Sequence, residues 1–169
     1  MGFGAMRITG PSVWGEPKDP RAARSVLRRT VELGVNFIDT ADAYGPEVSE
    51  RLIAETLRPY PPGLVIATKG GLVRPAASSW VRNGTPSHLR EACEQSLRRL
   101  GLERIGVYQR HAMDPNVPLE QWFGELAKWM VTSKNGQEEA ATKNNHAVAF
   151  YLQLALYADF TGDEAKLAE

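Results

Sequence analysis

The stretch "NFIDTADAYG", residues 36–45, joins an apolar strand to three chemically active side chains. Its first half is hydrophobic, and Asp39, Asp42 and Tyr44 then follow closely behind it. A strand that only fills a core gains nothing from ending on a carboxylate, whereas binding and catalytic residues concentrate where strands pass into loops. The stretch therefore predicts a buried strand that leads into a functional loop.

The same order, a short apolar strand followed by a longer helical pattern, continues to about residue 118. Strands are predicted at residues 2–6, 35–40, 64–69 and 104–111, and helices at 20–34, 47–59, 86–101 and from about 118. Asp19 before Pro20 is typical of a helix start, and Gly34 and Gly101 are typical of helix ends. This alternation predicts an α/β fold in which parallel (β/α) units build one sheet.

The character of the chain changes after about residue 130. The segment "VTSKNGQEEAATKNN", residues 131–145, is polar and predicts turns, and one helix apolar on nearly every side is expected at about 146–160. Such a helix needs neighbours on all sides, which this stretch does not supply. We therefore predict two regions, residues 1–118 and an α-helical tail at 119–169.

Composition narrows the range of partners. Among 169 residues, 43% are hydrophobic, and 20 basic residues balance 20 acidic ones. With no net charge we expect no binding to nucleic acid or to an anionic membrane, and a small molecule is the favoured partner. The most apolar run, residues 147–158, is shorter than the roughly 20 residues of a membrane span.

The cysteine content and the first residues favour a cytoplasmic location. Cys93 is the only cysteine and cannot form an internal disulfide, and "MGFGAMRITG" lacks the pattern of a signal peptide. Cys93 also recurs at helical spacing with Leu89 and Leu97, so we interpret it as a core residue rather than a reactive thiol. No metal site is predicted.

Three of the four predicted strands end in an ionisable residue, namely Asp39, Lys69 and His111. In a parallel sheet the carboxyl ends of the strands meet at one edge, and neighbouring strands lie about 4.8 Å apart. Because side chains alternate along a strand, each of these residues continues one shared face. Strand ends can simply carry charges, but three such positions together with Tyr44 favour one site for a small molecule.

The residue types indicate proton transfer to a carbonyl. A phenol is a weak acid at neutral pH, and an ammonium group beside it stabilises the phenolate. Lys69 could supply that charge to Tyr44, and Asp39 could keep Lys69 protonated and oriented. A neutral His111 would donate a hydrogen bond to the substrate oxygen. Such a site would polarise a carbonyl while protonating it.

Three stretches, "GVNFIDTADAYGPEVSE" (34–50), "VIATKGG" (65–71) and "GLERIGVYQRH" (101–111), resemble the aldo-keto reductases over residues 2 to about 120. The resemblance implies that Tyr44 is the general acid, that Lys69 and Asp39 are its partners, and that His111 orients the substrate. It also implies the first half of a (β/α)8 TIM barrel and the reduction of an aldehyde or ketone, usually with NADPH.

The same resemblance implies roles for further residues. Ala5 and Met6, at the end of the first strand, and Asp39 would lie near the nicotinamide, and Trp80 would form a wall of the substrate pocket. The chain shows four of the eight strands of a full barrel, and the loops for the cofactor phosphates come from the later strands. The open edges of strands one and four then predict self-association.

Arg110 departs from the family pattern. It occupies a position where the family usually has an apolar residue, on the face turned towards the helices. An unpaired charge there would be costly.

The tail resembles a different family. The segment at residues 122–165, with "NNH" and "TGD", resembles alginate-lyase-like helical toroid proteins. That resemblance implies that Asn145 and His146 neutralise a uronate carboxylate and assist proton abstraction, although a histidine before an apolar run is also an ordinary helix-start residue. A fusion of a truncated reductase with a lyase segment, joined near residues 118–129, is the resulting hypothesis. A natural recombinant, a designed chimera and an error of assembly all remain open.

Three functions follow from these observations. The leading one is an NADP(H)-dependent aldo-keto reductase that acts on a small carbonyl substrate. The second is polysaccharide lyase chemistry at Asn145 and His146. The third is a catalytically silent scaffold that associates through its open sheet edges.

Overall fold

The computed structural model describes residues 1–143 and 145–163. The chain divides into two compact units, Met1–Asp114 and Pro115–Glu169. The boundary predicted after residue 118 lies a few residues beyond this division.

The first unit is built from parallel βα repeats. Its elements in chain order are β1 (Gly2–Gly4), α1 (Pro20–Glu32), β2 (Phe37–Asp39), α2 (Val48–Leu57), β3 (Val65–Gly70), β4 (Leu72–Val73), β5 (Val81–Arg82), α3 (Pro86–Leu100) and β6 (Val107–Arg110). The strands β1, β2, β3 and β6 pair in that order, all parallel, while β4 and β5 form a small antiparallel hairpin. The predicted α/β class and strand order are those of the structure.

The helix signals in the sequence act as predicted. The carboxylate of Asp19 accepts hydrogen bonds from the backbone N–H groups of Arg21 and Ala22 at 2.9 and 3.0 Å, which caps α1. Gly101 ends α3 with a φ of 61°, a left-handed conformation that a glycine adopts without strain.

The core lies between the sheet and its helices. Ile38 of β2 and Ile66 of β3 are paired neighbours, and both are buried on the face turned to the helices. They pack in one cluster with buried side chains of the helices, which include Leu27, Leu52, Ile53 and Leu100. Burying each such side chain contributes about 1.5–3 kcal/mol, so this layer holds the strands in register.

The first strand is shorter than predicted. It ends at Gly4, and Ala5–Ile8 forms a 3-10 turn, so Ala5 and Met6 lie beyond the strand rather than at its end. Ala5 and Ile8 are both buried, and a 3-10 turn brings residues three apart to the same side. The hydroxyl of Thr9 donates to the carbonyl of Met6 at 3.0 Å and closes the turn.

The other strands differ from prediction at their ends. β3 continues to Gly70 because Gly70 pairs with Arg110 of β6. β6 begins at Val107, so the predicted first residues at 104–106 precede the strand.

The second unit is helical. It contains α4 (Leu119–Thr132), α5 (Lys134–Ala140) and α6 (Asn145–Thr161). The interpretation of residues 131–145 as turns was wrong over α5, which begins at a serine cap: the backbone N–H of Gly136 donates to the Ser133 hydroxyl at 3.0 Å. Within the described residues, none of the helices has the length and apolar character that crossing a membrane requires.

Aromatic contacts join α4 to α6. The ring of Phe123 lies 5.0 Å from that of Tyr157 and 5.1 Å from that of Phe160, measured between centroids. Tyr151, Leu152 and Leu156 of α6 remain exposed, so this helix is only partly covered on its apolar surface.

Candidate active site

The four residues predicted to form the site come together at the carboxyl ends of the strands. Asp39 is the last residue of β2, Lys69 is the penultimate residue of β3, and His111 directly follows β6. The register pairs Asp39 with Ala67 and Lys69 with Gln109, so the polar residues share one face and are staggered from strand to strand. This stagger brings Lys69 beyond the end of β2, where it can reach back to Asp39.

Lys69 and Asp39 form a close ion pair. The Lys69 ammonium nitrogen lies 2.7 and 2.8 Å from the two carboxylate oxygens of Asp39 and donates to the carbonyl of Thr40 at 2.8 Å. The Lys69 side chain is only 15% exposed, so water screens this pair weakly. Three oxygen acceptors around one ammonium group fix its position.

Tyr44 lies in the turn between β2 and α2. It is 7% exposed, and the ammonium nitrogen of Lys69 lies 5.2 Å from the centre of its ring. A cation at this distance interacts favourably with the ring. The predicted ammonium neighbour of Tyr44 is therefore present.

His111 lies against the tyrosine. The two ring centroids are 5.4 Å apart, and the planes meet at 85°. Burial, followed by the positive charge of Lys69, lowers the pKa of His111 to about 4, against a smaller opposing effect of Asp39. Its Nδ1 atom is buried and has no hydrogen-bond partner in the described part of the chain. His111 is thus neutral at pH 7 and can offer a ring N–H to a bound group.

Trp80 borders the same site. It directly precedes β5, is 41% exposed, and its ring lies 6.4 Å from that of His111 in an edge-to-face arrangement. The sequence predicted a pocket wall here, and the structure places an accessible indole beside the histidine. An aromatic wall suits an apolar substituent on a carbonyl substrate.

Buried polar residues below the site support it, and the sequence did not reveal them. Glu50 of α2 is fully buried, and its carboxylate accepts from the hydroxyl of Thr68 at 2.6 Å and from the Nε atom of Arg99 at 2.7 Å. Thr68 directly precedes Lys69 in β3. The Glu50–Arg99 pair therefore holds the strand residue next to the ammonium group.

A second buried network fixes the turn after β1. The hydroxyl of Thr40 donates to that of Ser49 at 2.8 Å, and Ser49 donates to the carbonyl of Ala5 at 3.2 Å. The backbone at Ala5 is thereby tied to the loop that follows Asp39.

Asp42 lies between Asp39, the last residue of β2, and Tyr44. Burial, and next the negative charge of Glu50, raises the pKa of Asp42 to about 7. Its Oδ1 atom is buried without a hydrogen-bond partner among the described residues. The sequence showed Asp42 in the motif but gave no sign of this environment, because the charges around it come from α2 and α3.

An open surface lies at Gly4, the last residue of β1, near the positions where the resemblance predicts the nicotinamide. Gly4 pairs with Asp39 in the sheet, and a Cβ atom built on Gly4 would meet no atom within 4 Å. Asp39 and Met6 are both partly exposed beside it. The space at Gly4 beside Asp39 suits the nicotinamide end of a cofactor.

The sequence also singled out Arg110 and Cys93, and the structure shows the surroundings of both. The charge of Arg110 is partly paired: its Nε donates to the carbonyl of Ala112 at 3.2 Å and its Nη2 to that of Asp114 at 3.5 Å, while Nη1 is buried without a partner in the described structure. Cys93 is half-buried in α3, and burial raises the pKa of its thiol to about 11, which fits a packing role.

The lyase-like pair of residues belongs to the second unit. Asn145 and His146 begin α6 in the second unit. Their side chains lie outside the part of the chain that the structure describes, so their predicted roles stay predictions.

Comparison with known proteins assigns the class. The model of the aldo/keto reductase family matches residues 1–133, and the model of the alginate lyase family matches residues 105–169. The first match covers most of the chain, and the chain therefore belongs to the aldo/keto reductase family.

Individual relatives support this assignment. The chain is 54% identical over 127 residues to an uncharacterised oxidoreductase of Schizosaccharomyces pombe, covering 75% of this chain and 41% of that protein. It is 43% identical over 113 residues to pyridoxine 4-dehydrogenase of Escherichia coli, covering 67% and 40%. Among solved structures, the glycerol dehydrogenase of Gluconobacter oxydans is similar with a TM-score of 0.66 and 33% identity, covering 79% and 41%.

These coverages describe the extent of the similarity. The chain spans about 40% of the length of the curated relatives that it matches. The structural relatives are aldo-keto reductase TIM barrels, and the four parallel strands correspond to about half of such a barrel. The predicted family and fold are confirmed, and the match of residues 105–169 to alginate lyase agrees with the resemblance of the tail.

Proposed function

We propose that this chain carries the proton-transfer part of an NADPH-dependent carbonyl reductase site. One observation carries the proposal: the Lys69–Asp39 ion pair lies beside Tyr44, and the neutral ring of His111 contacts Tyr44 edge-to-face. An acid, a cation that stabilises its conjugate base, and a neutral hydrogen-bond donor are the groups that carbonyl reduction requires.

Each residue has one task in this reaction. Tyr44 transfers its hydroxyl proton to the carbonyl oxygen of an aldehyde or ketone, which becomes the hydroxyl of an alcohol. Lys69 stabilises the phenolate that remains, and Asp39 holds the ammonium group in place. His111 donates a hydrogen bond to the same substrate oxygen and sets its orientation.

The cofactor would be held at the open surface beside β1. Gly4 provides the space for the nicotinamide ring, and Asp39 and Met6 border it. When bound, NADPH supplies the hydride that reaches the carbonyl carbon. The family generally uses NAD(P)H, and the choice of NADP here follows from the resemblance.

The test is a comparison of the purified chain with its Tyr44→Phe variant. NADPH and a reactive aromatic aldehyde are mixed with each protein, and the loss of NADPH absorbance is followed. Removing a general acid costs about 100-fold or more in rate, so the variant should be nearly inactive. Equal rates for both proteins would reject the proposal.

Cofactor binding needs its own measurement. Titration with NADPH should quench tryptophan fluorescence, because Trp80 lies next to His111 at the site. A dissociation constant weaker than about 1 mM, which corresponds to about 4 kcal/mol, would mean that this chain does not retain the cofactor.

A second candidate function rests on the alginate lyase match at residues 105–169. Cleavage by β-elimination would produce unsaturated uronate ends and a rise in ultraviolet absorbance when alginate is added. We expect no rise.

Self-association and location stay predictions. β1 and β6 are the outer strands of the parallel sheet, and unpaired strand edges favour association with another chain. Sedimentation as a clean monomer would contradict it. The cytoplasmic location remains a prediction from the sequence.

A further inference from the structure

Arg74 directly follows β4, and its guanidinium is buried among the loops around the site. The residue is 7% exposed. The hydrogen-bond acceptors that the structure gives it are all backbone carbonyls: Nε donates to Ser79 at 2.8 Å, Nη1 to Val13 at 3.0 Å and Ala43 at 3.3 Å, and Nη2 to Ser12 at 3.3 Å and Ala77 at 2.6 Å. These acceptors belong to the loop after β1, the loop after β2 and the loop of the β4–β5 hairpin. One side chain therefore joins three loops.

The loop after β1 needs this support. Ser12 and Val13 have φ values of 56° and 57°, in the left-handed region that a β-branched valine rarely adopts. Such conformations persist only where surrounding contacts hold them. The carbonyl of Val13 accepts from Arg74 and also from the backbone N–H of Gly45 at 3.2 Å, and Gly45 directly follows Tyr44. The strained turn is thus bonded to the loop that carries the general acid.

Arg74 also determines where Trp80 lies. The guanidinium carbon is 3.6 Å from the centre of the Trp80 ring and 5.4 Å from that of Trp14. Stacking at this distance restricts the rotation of the indole. Trp80 also contacts His111, with the two ring centroids 6.4 Å apart. The position of the accessible indole beside His111 therefore depends on the guanidinium.

We propose that Arg74 is a positioning residue that holds Trp80 as the substrate-facing wall. It acts through Trp80 and through backbone carbonyls, and it takes no part in proton transfer. The role in substrate recognition rests on the proposed reductase function. The role in holding Trp80 does not.

The chemistry of the site calls for arginine. A guanidinium presents five N–H donors in one plane and stacks flat on an indole, which matches carbonyls from three loops. A lysine has three donors and no planar group, so it could satisfy only some of the carbonyls and would not stack.

The experiment compares Arg74→Lys and Arg74→Met with Arg82→Lys, a matched control. Arg82 lies on β5 of the same hairpin and is exposed. The first measurement is acrylamide quenching of tryptophan fluorescence without cofactor, with the Trp80→Phe variant used to isolate the signal of Trp80. We expect the quenching constant of Trp80 to rise about twofold or more in both Arg74 variants and to stay unchanged in Arg82→Lys, because the stacked face is released.

The second measurement is a KM-against-kcat comparison with two aldehydes, one small and aliphatic and one bulky and aromatic. In Arg74→Lys we expect KM for the aromatic aldehyde to rise about tenfold, while kcat changes by less than about threefold and the aliphatic aldehyde is little affected. An equal loss with both aldehydes would mean general destabilisation and would overturn the proposal.

The quenching result decides the inference without any turnover. Unchanged Trp80 quenching in Arg74→Lys would overturn it, whether or not the chain reduces aldehydes. Failure of the reductase proposal is recognised separately, by equal activity of wild type and Tyr44→Phe. If Arg74→Met does not fold, Arg74→Lys retains the cation and keeps the test valid.

Discussion

Replacing Arg99 by methionine should lower the free energy of unfolding by about 3–5 kcal/mol. The reason is the partner that remains: Glu50 is fully buried, and Arg99 donates to its carboxylate at 2.7 Å. Methionine fills much of the same volume but leaves a buried negative charge whose other donor, among the residues that the structure describes, is the hydroxyl of Thr68. Removing one member of a buried ion pair is costly for this reason.

A double variant separates the cost of the unpaired Glu50 charge from the other effects of removing Arg99. Glu50→Gln combined with Arg99→Met removes the stranded charge, so the double variant should be more stable than Arg99→Met alone by about 1–3 kcal/mol. Arg98→Met is the matched control, because Arg98 contacts Glu94 on the exposed side of the same helix at 3.4 Å. An exposed pair of this kind contributes at most about 0.5 kcal/mol.

Urea unfolding of the three variants and the wild type at pH 7, followed by circular dichroism, measures these differences. Midpoints are compared at constant slope, because a changed slope would indicate loss of a single transition. Equal losses for Arg99→Met and Arg98→Met would refute the reasoning. So would a double variant less stable than Arg99→Met.

Three further predictions test the same region. The pKa of Asp42 is about 7 in the folded protein against an ordinary 3.8, so ionising the buried carboxyl group costs stability as pH rises through 7. Asp42→Asn should therefore be more stable than wild type by up to about 4 kcal/mol at pH 8, and unfolding curves should show this difference disappear near pH 4. The pKa of His111 is about 4 in the folded protein against an ordinary 6.5, so the stability that depends on its neutral form is complete above pH 6.5 and is lost as pH falls towards 4. His111→Gln should remove up to about 3 kcal/mol of this acid-dependent destabilisation, and an unchanged pH dependence of unfolding would contradict the assignment. Gly45→Ala should lower the free energy of unfolding by about 2 kcal/mol or more in calorimetry, because φ is +105° and the new Cβ would lie within 2.9 Å of a Val48 methyl carbon. Gly63→Ala, also at positive φ but in open space, should cause a smaller loss.

The residues that the sequence predicted correctly are those whose placement follows from strand geometry. Asp39, Lys69 and His111 come at or next to strand ends, and the alternation of side chains puts them on one face. A sequence pattern with a period of two is enough to predict this. The contact between Lys69 and Tyr44 also depends on the turn between β2 and α2, whose conformation strand geometry does not predict.

The residues that the sequence did not reveal depend on contacts between distant segments. Arg74 bonds to carbonyls 61 and 62 positions earlier in the chain, and those acceptors are backbone atoms that any residue type could provide. Glu50 reads as an ordinary charge on a helix, since its burial depends on α3 and β3. Ala5 and Met6, the first two residues of the turn at Ala5–Ile8, were predicted as strand because a turn and an apolar strand end cannot be told apart over so few residues.

The carbonyl of Val13, which accepts from two loops, makes substitutions in the loops around the site depend on one another. Two donors from different loops meet at one oxygen, so a sequence change in any one loop alters what the other two must satisfy. Libraries that randomise a single loop should therefore show strong epistasis, with substitutions neutral in one background and harmful in another. Transferring substrate preference between homologues would require moving the three loops and their arginine as a single cassette.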